Sequence, residues 1–259
     1  MSGNVLTRTI ICLLKDNFSD FEGLKVMVPV REECCKLLGR IGADLDCLIQ
    51  TLPTIFLAVE NDIWHSKLNF FLILKGLAIN GDKKIKETLL MMFGNLLIQA
   101  LPMMEDEPKV AITEILQILL PTYYASFSNP KTPTKLTTTL LDNLTVNLKK
   151  SDEIEASAIA VFNLVCKIYD LRGQHKCLSQ FKYRLDLNTF GPFNFHKLEP
   201  VRLSYNELIL KAIESGSVIT KEDLCLLHTL TVQSLVVESN PVLVEILLKV
   251  LQAILKVIV

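Results

Sequence analysis

The sequence predicts a mainly α protein: an irregular α-solenoid of stacked helices with a small β-hairpin or extended insertion near 180–197. Three observations point there. Apolar residues recur with a 3.6-residue period through most of the 259-residue chain, between short polar turns. Half the residues are hydrophobic and 21% are charged, a bias suited to units that bury surface against two neighbours. The period changes to two in one stretch, between 181 and 196. The expected organisation is a helical array over 1–172, an aromatic-rich insertion over 173–203, and helices continuing the array over 204–259.

Val5, Leu6, Thr9, Ile10, Leu13 and Leu14 make a short amphipathic helix, broken from Asn17 to Gly23. The most legible helix follows Pro29, a residue favoured in a first helical turn. Its apolar residues Val30, Cys34, Leu37, Leu38 and Ile41 share one face, and Arg31, Glu32, Lys36 and Arg40 take the other. Gly42-Ala43-Asp44 ends it, and Asp44 can cap a helix over 45–59 that Pro53 kinks or splits. A buried helix spans 64–79, and Asn80-Gly81-Asp82 reads as stop, turn and new cap.

A helix over 83–101 leads to an acidic loop, Pro102 to Pro108, holding Glu105, Asp106 and Glu107. These carboxylates read as solvated rather than as a catalytic pair. A helix over 109–120 precedes an irregular connection from Pro121 to Pro133. Segments 135–148 and 153–171 form a helical hairpin through the turn Lys149-Lys150-Ser151-Asp152.

The rhythm then breaks. Phe181, Tyr183, Leu185 and Leu187 alternate with polar residues, Thr189 to Pro192 signals a turn, and Phe193 to His196 alternates again. Five of the eighteen aromatic residues lie here: Phe181, Tyr183, Phe190, Phe193 and Phe195. Rings in such a segment either pack it onto neighbouring helices or form a docking surface, since aromatics are enriched at interface cores. These five are the candidate partner-binding residues.

Beyond Pro200, Ser204 can cap a helix over 205–215 that Gly216 ends. Thr220 with Asp223 resembles a capping box before a helix over 224–237. Asn240-Pro241 opens a helix over 242–259 whose polar residues Glu245, Lys249, Gln252 and Lys256 form one narrow stripe. A helix so apolar needs covering on most sides, by the preceding pair, by residues beyond 259 in a longer protein, or by a partner.

The pattern Val30-Arg31-x-x-Cys34-x-x-x-Leu38-Gly39-x-Ile41 resembles the second helix of a HEAT repeat, in the same broad class as armadillo repeats. It recurs with Ile85, Lys86, Leu89, Phe93, Gly94 and Leu96, and again over Ile154 to Val165 with Glu155 at the basic position and Asn163 at the glycine. The spacings, 30 to 85 and 85 to 154, exceed the roughly 40–47 residues of a regular repeat, so the array is irregular. The resemblance implies a long curved surface that holds proteins within larger assemblies, as in transport or chromosome maintenance.

No nucleophile elbow, phosphate loop or dinucleotide fingerprint occurs, and neither cofactor nor metal is expected. Cys166, His175, Cys177 and His196 are the nearest approach to a ligand cluster but lack Cys-x-x-Cys spacing. Seven scattered cysteines suit reduced thiols of the cytoplasm or nucleus, and no secretory signal is evident at the N-terminus. The longest uncharged run, Thr88 to Met104, is shorter than the ~20 apolar residues of a membrane span and contains Asn95, Gln99 and Pro102. A net charge of −1 offers no field for nucleic acid, and Glu32, Glu33, Glu87, Glu153 and Glu155 lie in or beside the inner helices.

The expected function is therefore a non-catalytic scaffold or adaptor for unidentified protein partners. The alternative is an enzyme or ligand-binding domain with a pocket between the array and the insertion, where His175, His196, Tyr183 and Arg184 would supply the polar groups.

Overall fold

The computed structural model describes Leu52 and residues 64–103, 106–127, 131–145, 155–178, 181, 184–216 and 220–258. The helices expected over 5–15, 30–41 and most of 45–59, the turn 149–152 and Tyr183 lie outside the described residues. The chain divides into two compact units, Met1–Tyr123 and Tyr124–Val259. Among the described residues the fold is helical throughout, with no strand.

In the first unit, α1 (Trp64–Asn80) and α2 (Lys83–Ala100) form a hairpin. Its turn is dictated locally. The Gly81 N–H donates to the Leu77 carbonyl at 2.8 Å, and the Asp82 carboxylate accepts from the Ile85 N–H at 2.9 Å, capping α2. A Cβ on Gly81 would stand 2.5 Å from the Ile85 side chain and 2.6 Å from the Leu77 carbonyl, so the turn requires glycine. Phe70 and Phe71 are buried on α1, and Phe70 meets Phe93 of α2 edge to face at 5.6 Å. Among the described residues only Leu90 of the same helix comes within reach of a Cβ added at Gly94, at 3.9 Å.

After a 3-10 turn (Leu101–Met103), α3 runs from Asp106 to Ala125. It begins in the expected acidic loop and passes through Pro121, where a break was expected. Pro108 falls in the first turn, where N–H groups have no intrahelical partner. Beyond Pro121, Tyr124 is fully buried and its hydroxyl lies 2.6 Å from Thr137 Oγ1. Thr137 donates to the Pro133 carbonyl, so Tyr124 is the donor in that pair. Tyr124 and Thr137 both belong to the second unit.

The second unit continues with α4 (Lys131–Thr145), α5 (Glu155–Gln174), a 3-10 turn (Lys176–Leu178), α6 (Leu187–Phe190), a 3-10 segment (Gly191–Phe195), α7 (Glu199–Glu214), α8 (Lys221–Val237) and α9 (Pro241–Ile258). Its core lies along α5, where Ala158, Val161, Phe162, Leu164, Val165 and Ile168 are buried. Helix α5 packs against α4 and α7, α7 packs against α9, and α9 also packs against α8. Lys211 of α7 pairs with Asp170 of α5 at 2.7 Å, and Arg172 donates to the Ser215 carbonyl at 2.9 Å where α7 ends. Gly216 terminates α7 with φ +62°, the left-handed conformation that closes helices and favours glycine.

Two expectations are corrected here. Helix α7 starts at Glu199, with Pro200 in its first turn, and Ser204 is an internal residue rather than a cap. Among the described residues of the insertion no strand forms: residues 187–195, expected to hold the end of one extended run, the turn and the start of the next, are helical. Asp186 starts this turn, accepting from the Asn188 N–H at 3.0 Å and from the Thr189 hydroxyl at 2.6 Å. Leu187, Phe190 and Phe193 are then buried at a three-residue interval, the period of a 3-10 helix. Alternation survives only in burial before this turn, with Phe181, Leu185 and Leu187 inward and Arg184 and Asp186 outward.

Candidate functional site

The aromatic segment is built into the core. Phe162 of α5 sits among Phe190 at 6.0 Å, Phe193 at 5.1 Å and Tyr205 at 6.1 Å. Asn194 fixes the segment to α8, donating from Nδ2 to the Leu230 carbonyl at 3.0 Å and to Ser234 Oγ at 2.7 Å. Of the five candidate aromatics, Phe181, Phe190 and Phe193 are therefore interior, Tyr183 is outside the described residues, and Phe195 is 47% exposed.

The polar groups of the alternative reading are engaged separately. The His175 ring lies 6.1 Å from Tyr124. The His196 ring stacks on Phe193, and its Nδ1 accepts from the Leu198 N–H at 3.2 Å. Arg184 makes two bonds to Asp223, 2.8 and 2.9 Å long. That guanidinium, together with the Thr220 cap, holds the Asp223 carboxyl below the usual range against the opposing effect of burial. Burial pushes the Cys166 thiol up to about 12, and Glu207 and Asp170 add to the shift. Burial also raises the Cys177 thiol, which donates to the Tyr124 carbonyl at 3.4 Å. Among the described residues no three His, Cys, Asp or Glu side chains gather around a point that could hold a metal.

A different surface stands out on α8. The capping box of Thr220 and Asp223 starts this helix, with Asp223 N–H to Thr220 Oγ1 at 3.2 Å and Thr220 N–H to Asp223 Oδ2 at 3.1 Å. Leu224, Leu227, Thr231 and Ser234 occupy one face and are buried. The opposite face carries Leu226 (44% exposed), Val232 (39%), Val236 (80%) and Val237 (75%). Between Leu224 and Val237 there is no Asp, Glu, Lys or Arg. A helix that turns one face to solvent ordinarily places charges there. Here that face is uncharged, with Cys225, Thr229 and Gln233 exposed among the four aliphatic side chains, and exposed apolar groups that lie together mark a surface that can be covered.

Sequence reasoning missed these four residues because a run without charges does not mark which of its faces meets solvent. The uncharged run 224–237 was the available signal. It needed the further knowledge that only one face of α8 meets the core.

Among the described residues no helix is long and apolar enough to cross a membrane. The sequence matches no protein-family model and no curated protein.

Proposed function

We propose that this chain is a non-catalytic scaffold or adaptor that binds protein partners through a helical surface, within a larger assembly of the cytoplasm or nucleus. The observation that carries the reading is the α8 face: Leu226, Val232, Val236 and Val237 turned to solvent on a stretch without a charge. Apolar side chains presented by a rigid helix are what a protein partner's interface core takes. Nucleic acid would need basic side chains, which this face lacks.

The packing of α5 on α7 and α7 on α9, each with a helical segment between them in sequence, supports an irregular array of the HEAT/armadillo kind. Roles in chromosome maintenance or transport follow from that architecture by analogy. The free thiols of Cys166, Cys177 and Cys225 suit a reducing compartment.

The test is purification of the tagged full chain from eukaryotic cells, intact and as the double variant Val232→Asp/Val236→Asp. Circular dichroism and thermal melting establish that both are equally folded. A protein present in stoichiometric amount with the intact chain and lost from the variant is the expected result. Equal retention by both forms, or none by either, overturns the assignment of this face.

A further inference from the structure

Helix α9 carries two apolar seams. The first, Leu243, Leu247, Val250 and Ile254, is buried among the chain's own helices. The second, Val244, Leu248, Leu251, Leu255 and Ile258, advances by alternating steps of four and three residues. That is the repeat by which two helices interlock side chains along a common seam. Its residues Leu248, Leu255 and Ile258 stay 48%, 49% and 53% exposed. Beside it runs the exposed polar stripe Glu245, Lys249, Gln252, Lys256, acidic at the start of the helix and basic at its end. Lys249 pairs with Glu245 of its own helix at 2.6 Å. Among the described residues Lys256 meets no carboxylate.

We propose that α9 packs antiparallel against α9 of a second copy of this chain, about a two-fold axis near Leu251. The charge order selects this occupant and this direction. An antiparallel pair brings Glu245 of each copy toward Lys256 of the other, whereas a parallel pair sets the two polar stripes on opposite sides of the seam, where neither charge meets its complement. The same patch serves both copies, as closed two-fold association requires. One helix pair buries less than the roughly 800 Å² per partner of a standard interface, so the dimer is weak and depends on concentration. The seam lies on a different helix from the α8 valines, so this inference stands apart from the proposed adaptor role.

Sedimentation equilibrium of the full chain, from about 1 to 100 μM, tests it. The expected result is reversible dimerisation that Leu248→Asp/Leu255→Asp weakens about tenfold or more, with helicity unchanged. Lys256→Glu alone weakens it about threefold, and Glu245→Lys/Lys256→Glu restores it. Val232→Asp/Val236→Asp leaves it unaltered. A folded chain that stays monomeric throughout overturns the proposal, as does dimerisation indifferent to the Leu248 and Leu255 changes. Failure of the charge exchange to restore association overturns the antiparallel pairing. A monomer whose α9 seam instead takes up a different protein overturns the second copy as the occupant.

Discussion

The guanidinium of Arg202 holds Glu238 through a single carboxylate oxygen, with Nε 3.0 Å and Nη2 2.9 Å from Oε2. Its Nη1 donates to the carbonyls of His196 at 2.8 Å and Lys197 at 3.2 Å. The other Glu238 oxygen accepts from the Ser239 and Asn240 N–H groups, each at 3.1 Å, and Asn240 Oδ1 caps α9 at the Val242 N–H, 2.8 Å away. One arginine thus ties α7 to the turn that launches α9. Both side chains are largely buried, 20% and 10% exposed. Arg202→Ala leaves a carboxylate without its cation and is expected to cost about 2–4 kcal/mol in urea unfolding.

The same pair sets an acid response. Burial works to raise the Glu238 carboxyl, but the Asn240 and Ser239 N–H groups and Arg202 outweigh it and hold it below its ordinary 4.5. A carboxyl lowered on folding contributes fully above its unfolded value and loses that contribution as pH falls through its folded value. Urea midpoints measured from neutral pH down through this window should fall less steeply for Glu238→Gln than for the unaltered chain.

Two glycines in the first unit should answer oppositely to alanine. Gly81→Ala forces a Cβ to 2.5 Å from Ile85 and 2.6 Å from the Leu77 carbonyl, and an overpacked, inflexible site costs about 1–3 kcal/mol. Gly94→Ala meets nothing closer than 3.9 Å among the described residues, inside a helix, and should stabilise by up to about 1 kcal/mol. Thermal melting of the two variants separates the outcomes.

Within the aromatic segment, burial decides the energetics. Phe162→Ala removes the ring shared by Phe190, Phe193 and Tyr205 and should cost about 3–5 kcal/mol. Phe195→Ala removes a half-exposed ring and should stay within about 0.5 kcal/mol. Chemical denaturation of both variants measures the contrast.

Tyr205 buries its hydroxyl without a hydrogen-bond partner among the described residues, and burial alone raises its phenol above the usual value. Removing a buried polar atom that makes no bond recovers its desolvation cost. Tyr205→Phe is therefore expected to stabilise the chain by about 1 kcal/mol in the same measurement.

The parts of the fold legible in the sequence were those settled within a few residues. Asn80-Gly81-Asp82, the Thr220–Asp223 box, the Gly216 stop and Asn240 before Pro241 each satisfy helix ends from their own side chains or backbone freedom, so spacing reveals them. Prolines misled. Pro121 and Pro200 were read as boundaries, yet α3 runs through the one and the other sits in the first turn of α7. Residues 187–195 show why period is ambiguous in short runs. Apolar side chains at 185, 187, 190 and 193 serve a strand or a 3-10 turn, and the Asp186 cap decides between them. The exposed valines of α8 were least legible of all, because sequence gives apolarity and only packing gives the side it faces.

The order in which α5, α7 and α9 touch bears on how this unit opens. Helix α9 meets mainly α7 and α8, while α5 lies buried on many sides. Amide protons of α5 should therefore exchange with solvent only on global unfolding, whereas α8 and α9 can open together at lower free energy. Anything seated on the valine face of α8 would raise the opening free energy of both helices. Its arrival would be registered as slowed deuterium uptake along α9, a helix it need not touch.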